Sequence, residues 1–490
     1  MSEKNDSPRM RWVVLAFIAL AQLTVLLDGT IVNIALPAAQ RDLGISDSDR
    51  QWVITAFTLA FGGLLLLGGR IADLAGRKRT FVIGLLGFAA ASVLGGAAVN
   101  TAMLLTARAL QGAFSALVAP AALSLLTVTF TRTGERARAF GVFSAIAGAG
   151  GGMGLVLGGV VTQYLDWRWS QYVIAPLAVV GALGAILVIH EPTDARNRDR
   201  LDIPGVLLAT MGLVSLVYGF SRAASDGWGA GGTVGLLVAA AVLLTVFVLV
   251  ESRTGSPLLP LRVVTERNRA GVYLSLGLSI IGMFGLFLFL TYYLQAIKGY
   301  SPVLTGLAFL PMIVGMIAGS TQIGTLLTTR VSPRVLITSG LMVAAAGMTL
   351  LTQLKVDSSY LTLVLPAQIL LGLGMGTALL PATSLATEGV EADDAGVASA
   401  MLNTAQQIGG SIGTALLNTI AASSTHTWLV AHHDDARLLG QANVHGYATA
   451  IWWAVGILVL SAATAAVFLK GGRRGAGPVP VATPSPAVAG

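Results

Sequence analysis

Residues 12–36 read WVVLAFIALAQLTVLLDGTIVNIAL, a run of 25 residues in which Asp28 is the only charged side chain. At 1.5 Å of rise per residue, a helix of this length reaches beyond the roughly 30 Å hydrocarbon core of a bilayer. The run is too long for the apolar region of a signal peptide, and no A-x-A cleavage site stands in the right place. It is expected to remain as a first membrane span.

Working outward, thirteen more such runs follow. The expected spans are 12–36, 50–69, 80–99, 102–130, 139–161, 170–190, 203–221, 232–251, 270–295, 304–328, 334–353, 360–384, 395–421 and 446–469. Of the 490 residues 54% are hydrophobic and only 11% charged, whereas ordinary soluble domains are about 25% charged. The fold class is therefore an all-α polytopic membrane protein, with the lipid bilayer as its first partner. A net charge of +7 and a pI near 9.9 do not point to nucleic acid. The basic residues sit in short clusters between apolar runs, which is a topology signal and not a basic face. With no cysteine, the chain has no disulfide framework, thiolate nucleophile or cysteine metal site.

Orientation follows from the same clusters. With both termini cytoplasmic, 22 of the 30 Lys and Arg residues lie inside and seven outside (Arg41, Arg50, Arg168, Arg222, Lys298, Lys355 and Arg437). Arg108 lies within a span, and the excess fits the positive-inside rule. The loop 385–394 carries only acidic charges, which have little topological weight. An internal repeat adds organisation: Leu-Thr-Ala-Arg-Ala-Leu-Gln-Gly at 105–112 aligns with Leu-Pro-Ala-Gln-Ile-Leu-Leu-Gly at 365–372, on the fourth and twelfth spans. Six spans on each side of an inserted pair would form parallel repeats. The expected divisions are 1–11 (cytoplasmic N-terminus), 12–190 (first six-helix bundle), 191–269 (linker with two extra helices), 270–469 (second six-helix bundle) and 470–490 (disordered cytoplasmic tail).

Two intramembrane charges stand out. A carboxylate at membrane depth costs about 2.5–3.5 kcal/mol on insertion scales, so Asp28 should face a polar surrounding. A carboxyl withdrawn from water holds a proton more readily, which is what a proton carrier needs. The plainer alternative is a carboxyl satisfying backbone near Gly29 and Asn33. Counting residues from the outer ends of their spans puts Asp28 and Arg108 both roughly 10–12 Å deep, where they could meet. A permanently paired structural arginine is the plainer reading there.

Four segments carry a resemblance: Leu27-Asp28-Gly29-Thr30-Ile31-Val32-Asn33-Ile34-Ala35-Leu36-Pro37; Gly69-Arg70-Ile71-Ala72-Asp73-Leu74-Ala75-Gly76-Arg77-Lys78-Arg79; Arg108-Ala109-Leu110-Gln111-Gly112; and the run ending Gly154-Leu155-Val156-Leu157-Gly158-Gly159. On these the chain resembles the major facilitator superfamily, in its fourteen-span drug:proton antiporter branch. The resemblance implies two six-helix bundles plus two inserted helices, and export of small amphipathic compounds such as antibiotics against protons. Asp28 and Arg108 would be the proton-coupling pair. Gly69, Asp73, Gly76, Arg77 and Arg79 would form a conformational latch, and Gly150, Gly154, Gly158 and Gly159 the antiporter glycine motif. Three departures stand out. Leu155 takes the place of the family's proline. Ser170 and Gln171 follow Trp167-Arg168-Trp169 where the family has an apolar residue and Phe. No acidic residue occurs between 304 and 328.

Gln22, Asn33, Gln111, Asn403, Gln406 and Gln407 are candidates for a substrate cavity. Phe284, Phe287, Tyr292 and Tyr293 are either drug-stacking residues or an interfacial aromatic belt. The 422–445 segment, with His426, His432, His433 and His445, reads as a solvated outer loop without metal-site spacing. No cofactor and no metal is expected. No Walker motif is present, so no ATP is expected as a partner, and Gly227 to Gly232 is a chance G-x-G-x-x-G outside any strand context. The chain is expected in a bacterial cytoplasmic membrane and is not expected to be an enzyme. Alternatives are a dedicated exporter of one host-made natural product and a transport-dead sensor or scaffold.

Overall fold

The computed structural model describes residues 8–47, 49–130, 133–189, 202–254, 257, 259, 261–324, 327, 330–387, 395–433 and 435–470. The tail from 471, residues 1–7 and most of the 385–394 loop lie outside the described residues. Long helices account for nearly everything else. They are α1 (Pro8–Leu43), α2 (Trp52–Ala75), α3 (Arg77–Gly96), α4 (Thr101–Thr129), α5 (Thr133–Tyr164), α6 (Ile174–Val188), α7 (Ile203–Asp226) and α8 (Gly231–Glu251). The second set is α9 (Arg267–Tyr292), α10 (Pro302–Gln322), α11 (Pro333–Leu351), α12 (Leu365–Thr387), α13 (Ala395–Ala431) and α14 (Leu439–Phe468). Twelve helices among the described residues are long and apolar enough to cross a membrane. The other two, α5 and α13, are 32 and 37 residues long and pack among these twelve.

Polar residues at the ends start these helices. Asn100 accepts from the Met103 amide at 2.9 Å, Asp202 from Gly205 at 3.0 Å and Glu266 from Arg269 at 2.8 Å. Each side-chain oxygen satisfies an amide that has no partner within its own helix. Ser301 does the same for α10, ahead of Pro302 in the first turn, where proline fits.

The packing repeats at an offset of eight helices. In the first half α1 packs on α4, α5 and α6, α2 on α4, and α3 on α4 and α6. In the second half α9 packs on α12, α13 and α14, α10 on α12, and α11 on α12 and α14. The halves meet along two reciprocal seams, α2 against α13 and α5 against α10, as parallel repeats related by an axis along the membrane normal should. The inserted hairpin is peripheral. Helix α7 lies on α2 and α13, and α8 packs on α7 while exposing Val234, Val238, Val242 and Val246 at four-residue spacing.

Three sequence expectations need correction. The charged segment 69–79 is not a loop: α2 runs to Ala75, α3 starts at Arg77, and Gly76 alone makes the turn at φ 100°. The segment 422–445 is mostly helix, because α13 continues to Ala431 and α14 begins at Leu439. The tenth span is interrupted at Phe309 and ends in a π-helical stretch, Gly319–Gly324. In each of the first two cases a helix runs on past the apolar stretch, so polar residues that read as loop lie on helix ends.

Glycines bring the seams and α1 into close contact. A Cβ on Gly158 would lie 3.0 Å from the Ile31 Cα, and one on Gly159 would lie 2.5 Å from the Pro302 carbonyl oxygen and 2.8 Å from the Val303 Cα. Small residues are what allow backbones to approach this closely. Replacing Gly159 by Leu should therefore cost about 1–3 kcal/mol of overpacking and lower the thermal midpoint of the detergent-solubilised protein. Gly151→Ala, at a position with no atom within 4 Å, should stay within about 0.5 kcal/mol of the parent. Tryptophan emission during heating measures both.

Candidate functional site

Asp28 on α1 and Arg108 on α4 are 0% and 1% exposed. They touch, with Arg108 Nη1 2.6 Å from Asp28 Oδ2. Gln111, one turn along α4, closes a ring with both. Its Oε1 accepts from Arg108 Nη1 at 2.7 Å, and its Nε2 donates toward Asp28 Oδ1 at 3.2 Å. Arg108 Nε donates to the Val53 carbonyl at 2.9 Å, and the guanidinium lies 4.6 Å from the centre of the Phe57 ring on α2. Two opposite charges this deep are tolerable because they neutralise each other and because Gln111 and the Val53 carbonyl accept further hydrogen bonds from Arg108. The arrangement has a chemical consequence. A proton delivered to Asp28 would replace the charge of Arg108, while Arg108 would still keep Gln111 and Val53 as acceptors.

The expected cavity residues differ in their surroundings. Gln111 belongs to the ion-pair ring. Asn33 is 6% exposed and its amide donates back to the Gly29 carbonyl at 2.9 Å, within its own helix. These two are buried in the helix packing in this conformation. Gln22, Gln406 and Gln407 are half-buried and Asn403 is exposed. Gln407 packs toward Gly62 across the α2/α13 seam. A cavity of about 10 Å³ lies elsewhere, between α9, α10, α11, α12 and α14, lined by Met283, Met312, Met348 and Met375. That is room for about one water.

Of the expected latch residues, Gly69 and Gly76 have their backbone in α2 and in the α2–α3 turn, Arg77 opens α3 half-buried, and Arg79 is exposed. The Asp73 side chain lies outside the described residues. Nearby, Arg70 Nη2 donates to the Pro257 carbonyl at 2.5 Å, and Lys78 Nζ donates to Ile186 at 2.8 Å. Of the motif glycines, Gly150, Gly154 and Gly158 face α1, whereas Gly159 faces α10. Helix α5 runs unbroken through Leu155, which is fully buried.

A second polar cluster was not legible in the sequence. Arg50, in the short connection between α1 and α2, is 7% exposed. Its Nη1 pairs with Asp47 at 3.2 Å and its Nε donates to Asn418 Oδ1 on α13 at 3.3 Å. The guanidinium sits 4.1 Å from the centre of the Tyr292 ring. Tyr292 in turn donates to Gln40 Oε1, and Gln40 Nε2 donates to Asp47 at 2.8 Å. Gln40, Asp47 and Arg50 belong to the first half and Tyr292 and Asn418 to the second. The cluster thus ties the halves together on the face opposite the N-terminus. Tyr292 and Tyr293 are buried and Phe287 packs on Phe309 with centroids 5.3 Å apart, so these aromatics are not a lipid-facing belt. His432 stacks on Trp428 at 3.7 Å. Among the described residues no three His, Asp or Glu side chains gather into a group that could hold a metal ion.

Comparison with known proteins gives this geometry a context. The family model described as Major Facilitator Superfamily matches residues 18–414. The chain is 53% identical over 470 residues to the puromycin resistance protein pur8 of Streptomyces alboniger, covering 95% of this chain and 92% of that protein. It is 37% identical to the cephamycin export protein CmcT of Amycolatopsis lactamdurans, covering 85% and 87%. Among solved structures, a bacterial homologue of the human lysosomal transporter Spinster in an inward-facing and occupied conformation superposes with a TM-score of 0.70 at 16% identity, covering 94% of this chain and 97% of that one.

The Arg50 cluster can be tested directly, because the chain contains no cysteine of its own. A single cysteine in place of Asn33 should label slowly with a membrane-impermeant maleimide. Adding Arg50→Ala should speed labelling about tenfold, since losing about 1.4 kcal/mol of contact between the halves shifts the closed-to-open ratio by that factor. Unchanged labelling would mean that Arg50 does not hold this face shut.

Proposed function

The chain belongs to the Major Facilitator Superfamily, and from that premise we propose that it is a proton-driven exporter of antibiotic-like amphipathic molecules, working by alternating access. It is a multi-pass membrane transporter. We count α5 and α13 as spans, giving fourteen, with both termini on the cytoplasmic side of a bacterial plasma membrane. Two bundles, 12–190 and 270–469, rock about a central substrate path, and the 191–269 insert stays peripheral.

The observation that carries the reading is the buried ring of Asp28, Arg108 and Gln111. A pair this deep that served only stability would be a costly choice, since well-packed apolar residues often do as well or better. Protonation of Asp28 would free Arg108 from its counter-ion and so favour a different arrangement of α1 against α4. One proton moving inward at about 120 mV supplies roughly 2.8 kcal/mol. That is enough for about a hundredfold gradient of a neutral substrate, with no ATP as partner. Gly76 and the basic start of α3 would serve as the cytoplasmic latch, and the Arg50 cluster as its outer counterpart.

A second reading, export of a single natural product, is favoured by the relatives. Their names attach them to individual compounds, puromycin and cephamycin. Puromycin is therefore the first substrate to try, followed by a panel of lipophilic cations and neutral antibiotics.

The experiment is proton movement in proteoliposomes under an imposed pH gradient. The wild type should release protons when substrate is added, and Asp28→Asn should not. Equal responses from both would keep the exporter but remove Asp28 as its proton carrier. A response to puromycin alone would favour the narrow exporter over the broad one.

A further inference from the structure

Where the superfamily resemblance places Phe, this chain has Gln171, and that side chain is 2% exposed. It reaches the ion-pair ring through Gln111 Nε2, which donates to its Oε1. Trp167 Nε1 donates to Asp42 Oδ2 at 3.1 Å and Arg168 pairs with the same carboxylate at 2.7 Å, which ties the approach to α6 onto the end of α1. The short helix Trp169–Tyr172 then turns Gln171 inward. Gly95 on α3 leaves the space, since a Cβ there would lie 2.9 Å from Gln171 Oε1.

Gln111 Nε2 consequently faces three acceptors: Ser92 Oγ at 2.8 Å, Gln171 Oε1 at 2.9 Å and Asp28 Oδ1 at 3.2 Å. A primary amide has only two N–H donors. Ser92 can accept because its own proton goes to the Phe88 carbonyl at 2.8 Å. The two shorter contacts use both hydrogens, and the carboxylate is left with the longest. Among the described residues Arg108 is the only charged group against Asp28. The α2 contribution around the pair is the Val53 carbonyl and the Phe57 ring, and α5 presents Gly154 and Gly158 to the neighbouring part of α1.

We propose that Gln171 is a positioning residue that acts through Gln111 to set how readily Asp28 takes up its proton, by drawing a hydrogen bond away from the carboxylate. This rests on Asp28 being the coupling group. With Phe at 171 the amide would turn its free hydrogen to Asp28 and hold the charged form.

The test is the pH profile of puromycin-driven proton exchange in proteoliposomes, for the wild type and Gln171→Met, which keeps the length of the side chain without its acceptor. The midpoint should move to lower pH by about half a unit, a threefold change in apparent proton affinity. Gln171→Phe should move it the same way. In a Gln111→Leu background Gln171→Met should shift nothing further, because the path through Gln111 is gone. An unshifted midpoint in both single variants, or an equal shift in the Gln111→Leu background, would overturn the role of Gln171. Should Gln171→Met fail to fold, Ser92→Ala frees the same hydrogen and must shift the profile in the same direction, or the competition among acceptors is wrong. A wild-type profile in Asp28→Asn would instead defeat the proton-coupling reading itself, whatever position 171 does.

Discussion

Everything in the first half is arranged around one constraint: two full charges placed inside the hydrocarbon region must be neutralised by each other. An isolated carboxylate or guanidinium at that depth would cost several kcal/mol. Helices α1 and α4 are therefore held at the separation where Asp28 and Arg108 make a 2.6 Å contact. The glycines on α5 facing Leu23, Leu27 and Ile31 let that helix press on the far side of α1. Ser92 from α3, Val53 from α2 and Gln171 from the short helix before α6 complete the enclosure. The pair is thus where five helical segments converge on α1.

The second half repeats the packing without the chemistry. In the internal repeat Arg108 aligns with Gln368 and Gln111 with Leu371. Gln368 is fully buried, and neither of its amide atoms finds a hydrogen-bond partner among the described residues. Leu371 lines the small methionine-walled cavity. Where one bundle concentrates charge, the other has soft, adaptable side chains that pack around irregular space. Corresponding helix contacts thus enclose unequal interiors, a charged one in the first bundle and an apolar one in the second.

The succession of long apolar helices, the repeat and the meeting of Asp28 with Arg108 were legible because they depend on one periodicity, 1.5 Å per residue along a helix. Helix ends were less legible. The basic run at 77–79 and the histidines at 426 and 445 look like loops, yet they lie on helices that run beyond the apolar stretch, while His432 and His433 make the turn between them. Other contacts between distant segments left no trace. Arg50 to Asn418 spans 368 positions and Gln111 to Gln171 spans 60, and no local pattern encodes either. Tyr292 and Tyr293 sit at a span end, where a belt is the usual expectation. Hydropathy does not say which face of a helix is turned inward. The odd residues at 170 and 171 were visible as departures, but only the geometry gave Gln171 a partner.

The inserted hairpin makes the two seams unequal. Helix α7 is joined to the first half by Gln51 donating to Ser221 at 2.7 Å and to the second half by Thr419 donating to the Phe220 carbonyl at 3.1 Å. Behind it, Thr58 and Ser411 meet at 2.7 Å directly across the α2/α13 seam. The α5/α10 seam is built differently, from backbones apposed at Gly159 and Gly306, with Gln163 accepting from the Val303 amide at 3.2 Å. Smooth glycine surfaces can slide with few hydrogen bonds to break, whereas a helix bonded to both halves must shear or travel with one of them. The seam that α7 covers is thus held by side-chain hydrogen bonds, and the other by close glycine packing.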